Sequence, residues 1–209
     1  DTSIAKKYVP AGRHSHFWNV GRETFDEAPN DALRAFGLGY LSHLAADTIA
    51  HNYFVPRQLV LTDSTRSMGH TYWETRVETH LGERYTRKAK EIILLDQSAA
   101  DRHLERIISP TLFSVRTNRR LFRGMVHLSH TKSWQRAMQT ARDRSRWFLN
   151  DGDVERHLGI AYDMTVELLA AEGSLAGLRV GALDPNGAHA LRVAKRMRRR
   201  ELNLGSLGS

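Results

Sequence analysis

His43, Asp47 and His51 stand four residues apart in the run His43-Leu-Ala-Ala-Asp47-Thr-Ile-Ala-His51, and all three types bind metals. On an α-helix four residues turn about 400° and rise about 6 Å, so the three side chains share one face within roughly 80° of arc. His43 and His51 are then about 12 Å apart along the axis, too far to share one ion through bonds of about 2 Å. The spacing implies two metal centres, with Asp47 between them and able to bridge. Further on, His70-Thr-Tyr-Trp-Glu74 puts an imidazole and a carboxylate one turn apart, a chelating pair, and Glu78 extends that stripe by another turn. Upstream, Arg13-His14-Ser15-His16 supplies two more imidazoles, and Asp1 precedes them by about fifteen residues. The chain has no cysteine. A set of His and carboxylate ligands suits zinc, iron or manganese, and the absent thiols exclude a disulfide framework and a cysteine nucleophile.

A lone histidine on a helix is ordinarily a satisfied polar residue, which is the reading for His80, His103, His127, His130, His157 and His189. Asp47 and His51 differ because their segment is otherwise apolar, and a buried carboxylate must be paired or bound to a cation. Competing signatures are missing. There is no His-Glu-x-x-His, no adjacent His-Asp and no Glu-x-x-His, which removes zincin proteases, HD-type phosphohydrolases and di-iron bundles. Gly-x-Ser-x-Gly and a phosphate-binding glycine loop are also lacking.

The elements that must position these residues read as helices. The chain has 209 residues, 41% hydrophobic and 26% charged, a globular composition that excludes a disordered tail-like protein. Sustained alternating runs are missing, so the fold class is all-α, a multi-helix bundle with its metal site between central helices. Asn30-Asp31 starts a helix whose apolar positions, Leu33, Phe36, Leu41, Leu44, Ala45 and Ile49 among them, are too many for a surface element. It is expected to end before Pro56. A loop from Pro56 to Ser67 leads to a second long helix, about Met68 to Leu95, with Trp73, Val77, Leu81 and Tyr85 on one stripe. Later helices are expected at 98–108, 111–130, 132–149, 153–171 and 188–202, punctuated by Pro110 and Pro185. Asn186-Gly187, a hairpin dipeptide elsewhere, here precedes a helical pattern. Residues 1–202 read as one domain and 203–209 as a flexible tail.

Net charge is +8, and its distribution is uneven. Residues 1–100 hold 12 basic and 12 acidic residues, while 101–209 hold 19 and 11. A neutral, His-dense half suggests a site, and a basic half suggests an anionic partner. Lys195 to Arg200 is a basic cluster at a helix C-terminus, where positive charge suits the dipole. No stretch approaches the 18 or so consecutive apolar residues of a membrane span, and Asp1 to Lys7 lacks the apolar core of a secretory signal.

The ordered set of His-x3-Asp, a following His and His-x3-Glu resembles the bacterial zinc-dependent phospholipase C family, whose fold is shared with fungal zinc-dependent single-strand nucleases. The resemblance covers about residues 1–75. It implies an all-α, multi-zinc site in which Asp1, His16, His43 and Asp47 hold one zinc and His51, His70 and Glu74 a second. Asp47 would bridge to a third. The family's separation of its upstream Asp and His favours His16 over His14. Its third zinc uses an N-terminal Trp and an early His, neither of which precedes Asp1 in this sequence, so either that segment is missing from this stretch or the third zinc is absent or differently held, and two to three zinc ions are expected. In the family the third His follows the Asp by six residues, whereas His51 follows Asp47 by four.

The implied chemistry is phosphate-ester hydrolysis by a zinc-activated water, with Asp1 as both first-zinc ligand and catalytic general base. Phospholipase C-type cleavage of phospholipid head groups leads, with Tyr53, Phe54 and Val55 as a candidate apolar mouth. A single-strand nuclease or nucleotidase of the same fold is the alternative, using the basic half with Trp134 and Trp147 as stacking platforms. Trp134 to Trp147 also reads as an amphipathic helix on the core. A third reading, from another class, is a non-catalytic metal-stabilised protein that binds anionic membranes. Family members are exported, so a secreted or periplasmic location is expected.

Overall fold

A computed structural model describes residues 15–62, 69–108 and 147–205, with isolated positions between 109 and 146. The described residues are helical, without a strand among them, as the sequence pattern predicts. In chain order they form α1 (Trp18–Asp26), α2 (Asp31–Ile49), a π-helical segment (Ala50–Phe54), α3 (Val55–Leu61), α4 (Gly69–Leu81), α5 (Glu83–Leu94) and α6 (Ser98–Ile107). After these come α7 (Asp151–Ala170), a short 3-10 turn (Arg179–Ala182) and α8 (Ala188–Gly205). The helices expected at 111–130 and 132–149 fall largely outside the described residues, as do 206–209 of the expected tail. No helix among the described residues is long and apolar enough to cross a membrane.

The chain divides into two compact units, residues 1–40 with 78–146, and residues 41–77 with 147–209. In the first, α1 and α6 pack together through a buried polar contact, His103 Nε2 donating to the Thr24 carbonyl at 2.8 Å. His103 is thus a satisfied core histidine. Gly37 of α2 lies against Phe25, where a Cβ would come within 2.6 Å of the Phe25 Cα, so α1 and α2 approach as only a glycine permits. Asn30 caps α2, its Oδ1 accepting from Leu33 N at 3.0 Å.

The second unit is built on Phe54, Val55, Leu59, Trp73, Leu149, Val154 and Ala194. Trp73 is 0% exposed. Tyr72 packs edge-on against Trp147 with ring centroids 5.5 Å apart. Trp147 lies outside any helix, which corrects the expected amphipathic helix at its C-terminal end. The Asn150 side chain caps α7 by accepting from Asp153 N at 3.0 Å.

Two boundaries depart from the sequence reading. The buried helix does not stop at Pro56 but widens into the π-helical segment and continues as α3. Pro56 sits in the first turn of α3, where its missing N–H costs nothing and its fixed φ is helical. The helix expected over 68–95 is broken at Gly82, whose φ of +82° ends α4 and starts α5. The stripe from Trp73 therefore does not reach Tyr85, which is 60% exposed.

Candidate metal centre

α2 carries His43 and Asp47 one turn apart, and their Nε2 and Oδ2 atoms are 3.3 Å from each other. His43 is exposed and Asp47 largely covered. Burial pushes the Asp47 carboxyl up from its ordinary value against the opposing pull of His43 and His51, while Glu74 adds a further push upward. Asp47 thus feels the charges of both its own pair and the next group of donors.

That next group comes from two elements. The π-helical segment carries His51, and α4 carries His70 and Glu74 at i and i+4. Each offers a ligand atom, and the three lie within 4.8 Å of one another. His51 Nε2 is 3.2 Å and His70 Nε2 2.8 Å from Glu74 Oε1, with the two imidazole centroids 4.8 Å apart. π-Helical turns are rare and concentrate at functional sites. His51 stands near the start of this one, which spans Ala50–Phe54.

His51 is 8% exposed, and its Nδ1 donates to the Pro185 carbonyl at 2.6 Å. A carbonyl can only accept, so the proton is on Nδ1 and the neutral ring presents a lone pair at Nε2. That lone pair faces a carboxylate oxygen, which also only accepts, and a shared cation is needed between them. A proton can serve as that cation. Burial pulls the His51 pKa down, yet the Glu74 hydrogen bond, the charge on Asp47 and the Pro185 carbonyl outweigh it and leave His51 raised. Burial likewise pushes Glu74 up, but hydrogen bonds from His51 and His70 prevail and hold it at about 2.

Zinc fits the same donors. Bonds of 2.0–2.1 Å in a tetrahedron put ligand atoms roughly 3.3 Å apart, close to the separations between donors here. The Nδ1–H bond to a backbone carbonyl is also the outer contact that metal-bound histidines ordinarily make.

The model of the family described as zinc-dependent phospholipase C matches residues 5–116. The chain belongs to that family. No curated protein and no solved structure matches it. The zinc-dependent phospholipase C match spans α1 through α6 and ends ahead of α7, so the loop bearing Pro185 lies beyond it.

The remaining sequence candidates are placed as follows. His16 precedes α1 in the first unit, its Nδ1 in hydrogen-bond contact with Ser15 Oγ at 3.2 Å. Asp1 and His14 lie outside the described residues, as do His127 and His130. Of the expected apolar mouth, Phe54 and Val55 are core residues and only Tyr53, 49% exposed, faces outward. His157 packs its ring against Phe54 at 5.5 Å and bonds the Asp153 carbonyl at 2.6 Å. Sequence reasoning missed Asn52 and the loop Asp184 to Gly187. The one signal for that loop was the Asn186-Gly187 dipeptide.

Proposed function

We propose that this protein hydrolyses phosphate esters with zinc, by phospholipase C-type cleavage of phospholipid head groups. The observation that carries the reading is the convergence of His51 Nε2, His70 Nε2 and Glu74 Oε1 around one point. These three hold one zinc, and His43 with Asp47 hold another, for which the family pattern adds Asp1 and His16. Two to three ions complete the set. When bound, zinc supplies Lewis acidity and lowers the pKa of water toward about 7.

The chain's own residues do the rest. The Pro185 carbonyl accepts from Nδ1 of His51, which leaves Nε2 as the nitrogen turned to Glu74 and able to bind zinc. Glu74, held ionised, would offset positive charge at the centre. Asp1 is the candidate general base.

Lipid is favoured over nucleic acid by an apolar groove between α3 and α8. Two residues after His51, Tyr53 enters an open groove of about 550 Å³ whose lining includes Val60, Leu61, Val193 and Met197. Arg192, Lys195 and Arg196 stand exposed on the same helix, α8, a combination suited to an anionic lipid surface. Trp147, needed as a stacking platform by a nuclease, is instead partly buried against Tyr72.

The test is a substrate panel of phospholipid vesicles, a chromogenic phosphodiester and single-stranded DNA, with and without chelator. Chelator-sensitive release of head groups supports the proposal. Turnover of DNA alone would move the assignment to a nuclease, and no turnover with zinc restored would contradict hydrolysis altogether.

A further inference from the structure

The loop Asp184-Pro185-Asn186-Gly187 lies 134 residues from His51 along the chain and outside the family match, yet it reaches the His51 imidazole. Several contacts hold it there. Asn52, the neighbour of His51, donates through its amide both to the Thr48 carbonyl of its own helix at 2.9 Å and to the Asp184 carbonyl at 2.7 Å. Asp184 in turn organises the loop, its Oδ1 accepting from Asn186 N at 3.0 Å and its Oδ2 from Ala188 N at 3.2 Å. Gly187 N closes the turn on the Asp184 carbonyl at 2.9 Å. Gly187 has φ of +56°, and a Cβ there would fall 2.1 Å from the His51 carbonyl oxygen. Only a glycine admits so close an approach.

We infer that Asn52 and Asp184 are positioning residues for the zinc ligand His51, acting by pinning the Pro185 carbonyl against its Nδ1. This rests on the zinc reading above. The contact sets which nitrogen is protonated and where the ring points, two properties on which zinc affinity depends. Asn52 extends the arrangement, tying the acceptor's own chain to the π-helical segment, so that ligand and orienting group move together.

The experiment measures zinc affinity by competition with a chromogenic chelator, and the visible spectrum of the cobalt-substituted protein, for wild type, Asn52→Ala, Asp184→Ala and Asp184→Asn. Wild type binds metal. Asn52→Ala and Asp184→Ala are expected to weaken one ion by about 10–100-fold, shift the cobalt bands and keep the wild-type helical circular dichroism. Asp184→Asn, which retains an acceptor for Asn186 N, restores most of the affinity. In a His51→Ala background, Asn52→Ala changes the affinity of the remaining zinc by less than about twofold, since the ligand it positions is gone. Equal losses with and without His51, or unchanged affinity and spectrum in both alanine variants, would overturn the positioning role while leaving the zinc reading intact. A wild-type protein that binds neither metal would overturn both.

Discussion

His51 Nε2 stands 3.2 Å from Glu74 Oε1 while the other nitrogen of the same ring is already committed to the Pro185 carbonyl. Two acceptors face each other there, and the pair is stable only with a cation between them. A proton can fill that place, and under the proposed function zinc competes for it. The competition between the two gives the account its most specific consequences.

Proton and zinc dependence must run in opposite directions. In chelator-treated protein, raised His51 contributes stability that is full below its ordinary value of 6.5 and lost as pH rises through the higher folded value. Depressed Glu74 contributes stability present above 4.5 and lost as pH falls toward about 2. The Tm difference between metal-free wild type and His51→Gln is therefore largest below pH 6.5 and shrinks above it. Zinc affinity, by contrast, rises with pH over the same range. Calorimetry paired with zinc titrations at several pH values checks both slopes.

Asp47 should separate stability from metal binding. Its raised pKa, caused first by burial, means that the fold disfavours the charged carboxylate. Asp47→Asn is expected to raise the Tm of the metal-free protein at pH 7, to lose that gain below about pH 3.8, and to bind less zinc. Thermal melts and zinc content on the same samples read the two effects independently.

Glu74→Gln removes the charge on which both imidazoles converge. Its zinc affinity is expected to fall by more than the roughly 10–100-fold typical of an outer contact. Elemental analysis after dialysis should show one ion fewer than wild type, while the His43 and Asp47 centre keeps its own.

Two structural substitutions test the framework around the site. Trp73→Ala should cost about 3–5 kcal/mol by emptying the centre of the second unit's core. Gly82→Ala should cost about 1–3 kcal/mol through backbone strain, since φ of +82° with ψ of +174° is a region open essentially to glycine and no described atom beyond its chain neighbours lies within 4 Å of the added Cβ. Urea unfolding of both variants gives the comparison.

The local part of this design is legible in the chain. Leu41, Leu44, Ala45 and Ile49 announce a buried helix, and the four-residue steps from His43 to His51 place donors on one of its faces. His70 and Glu74 are readable for the same reason, because an i, i+4 pair is fixed by helix geometry alone. What sequence does not show is how the backbone departs from a regular helix. Pro56 reads as a stop, yet it is absorbed in a first turn, and the single helix read over 68–95 is broken at Gly82. The π-helical segment leaves no residue signature, and the approach of Pro185 to His51 depends on tertiary packing across 134 positions.

The most direct test of the central claim is zinc per chain, measured by elemental analysis on protein purified without added metal, for wild type and His51→Ala. The account predicts two to three ions in wild type and one fewer in the variant, with phosphodiester turnover abolished by chelation and restored by zinc. Wild-type protein without zinc, or a His51→Ala variant with the full complement, would contradict it.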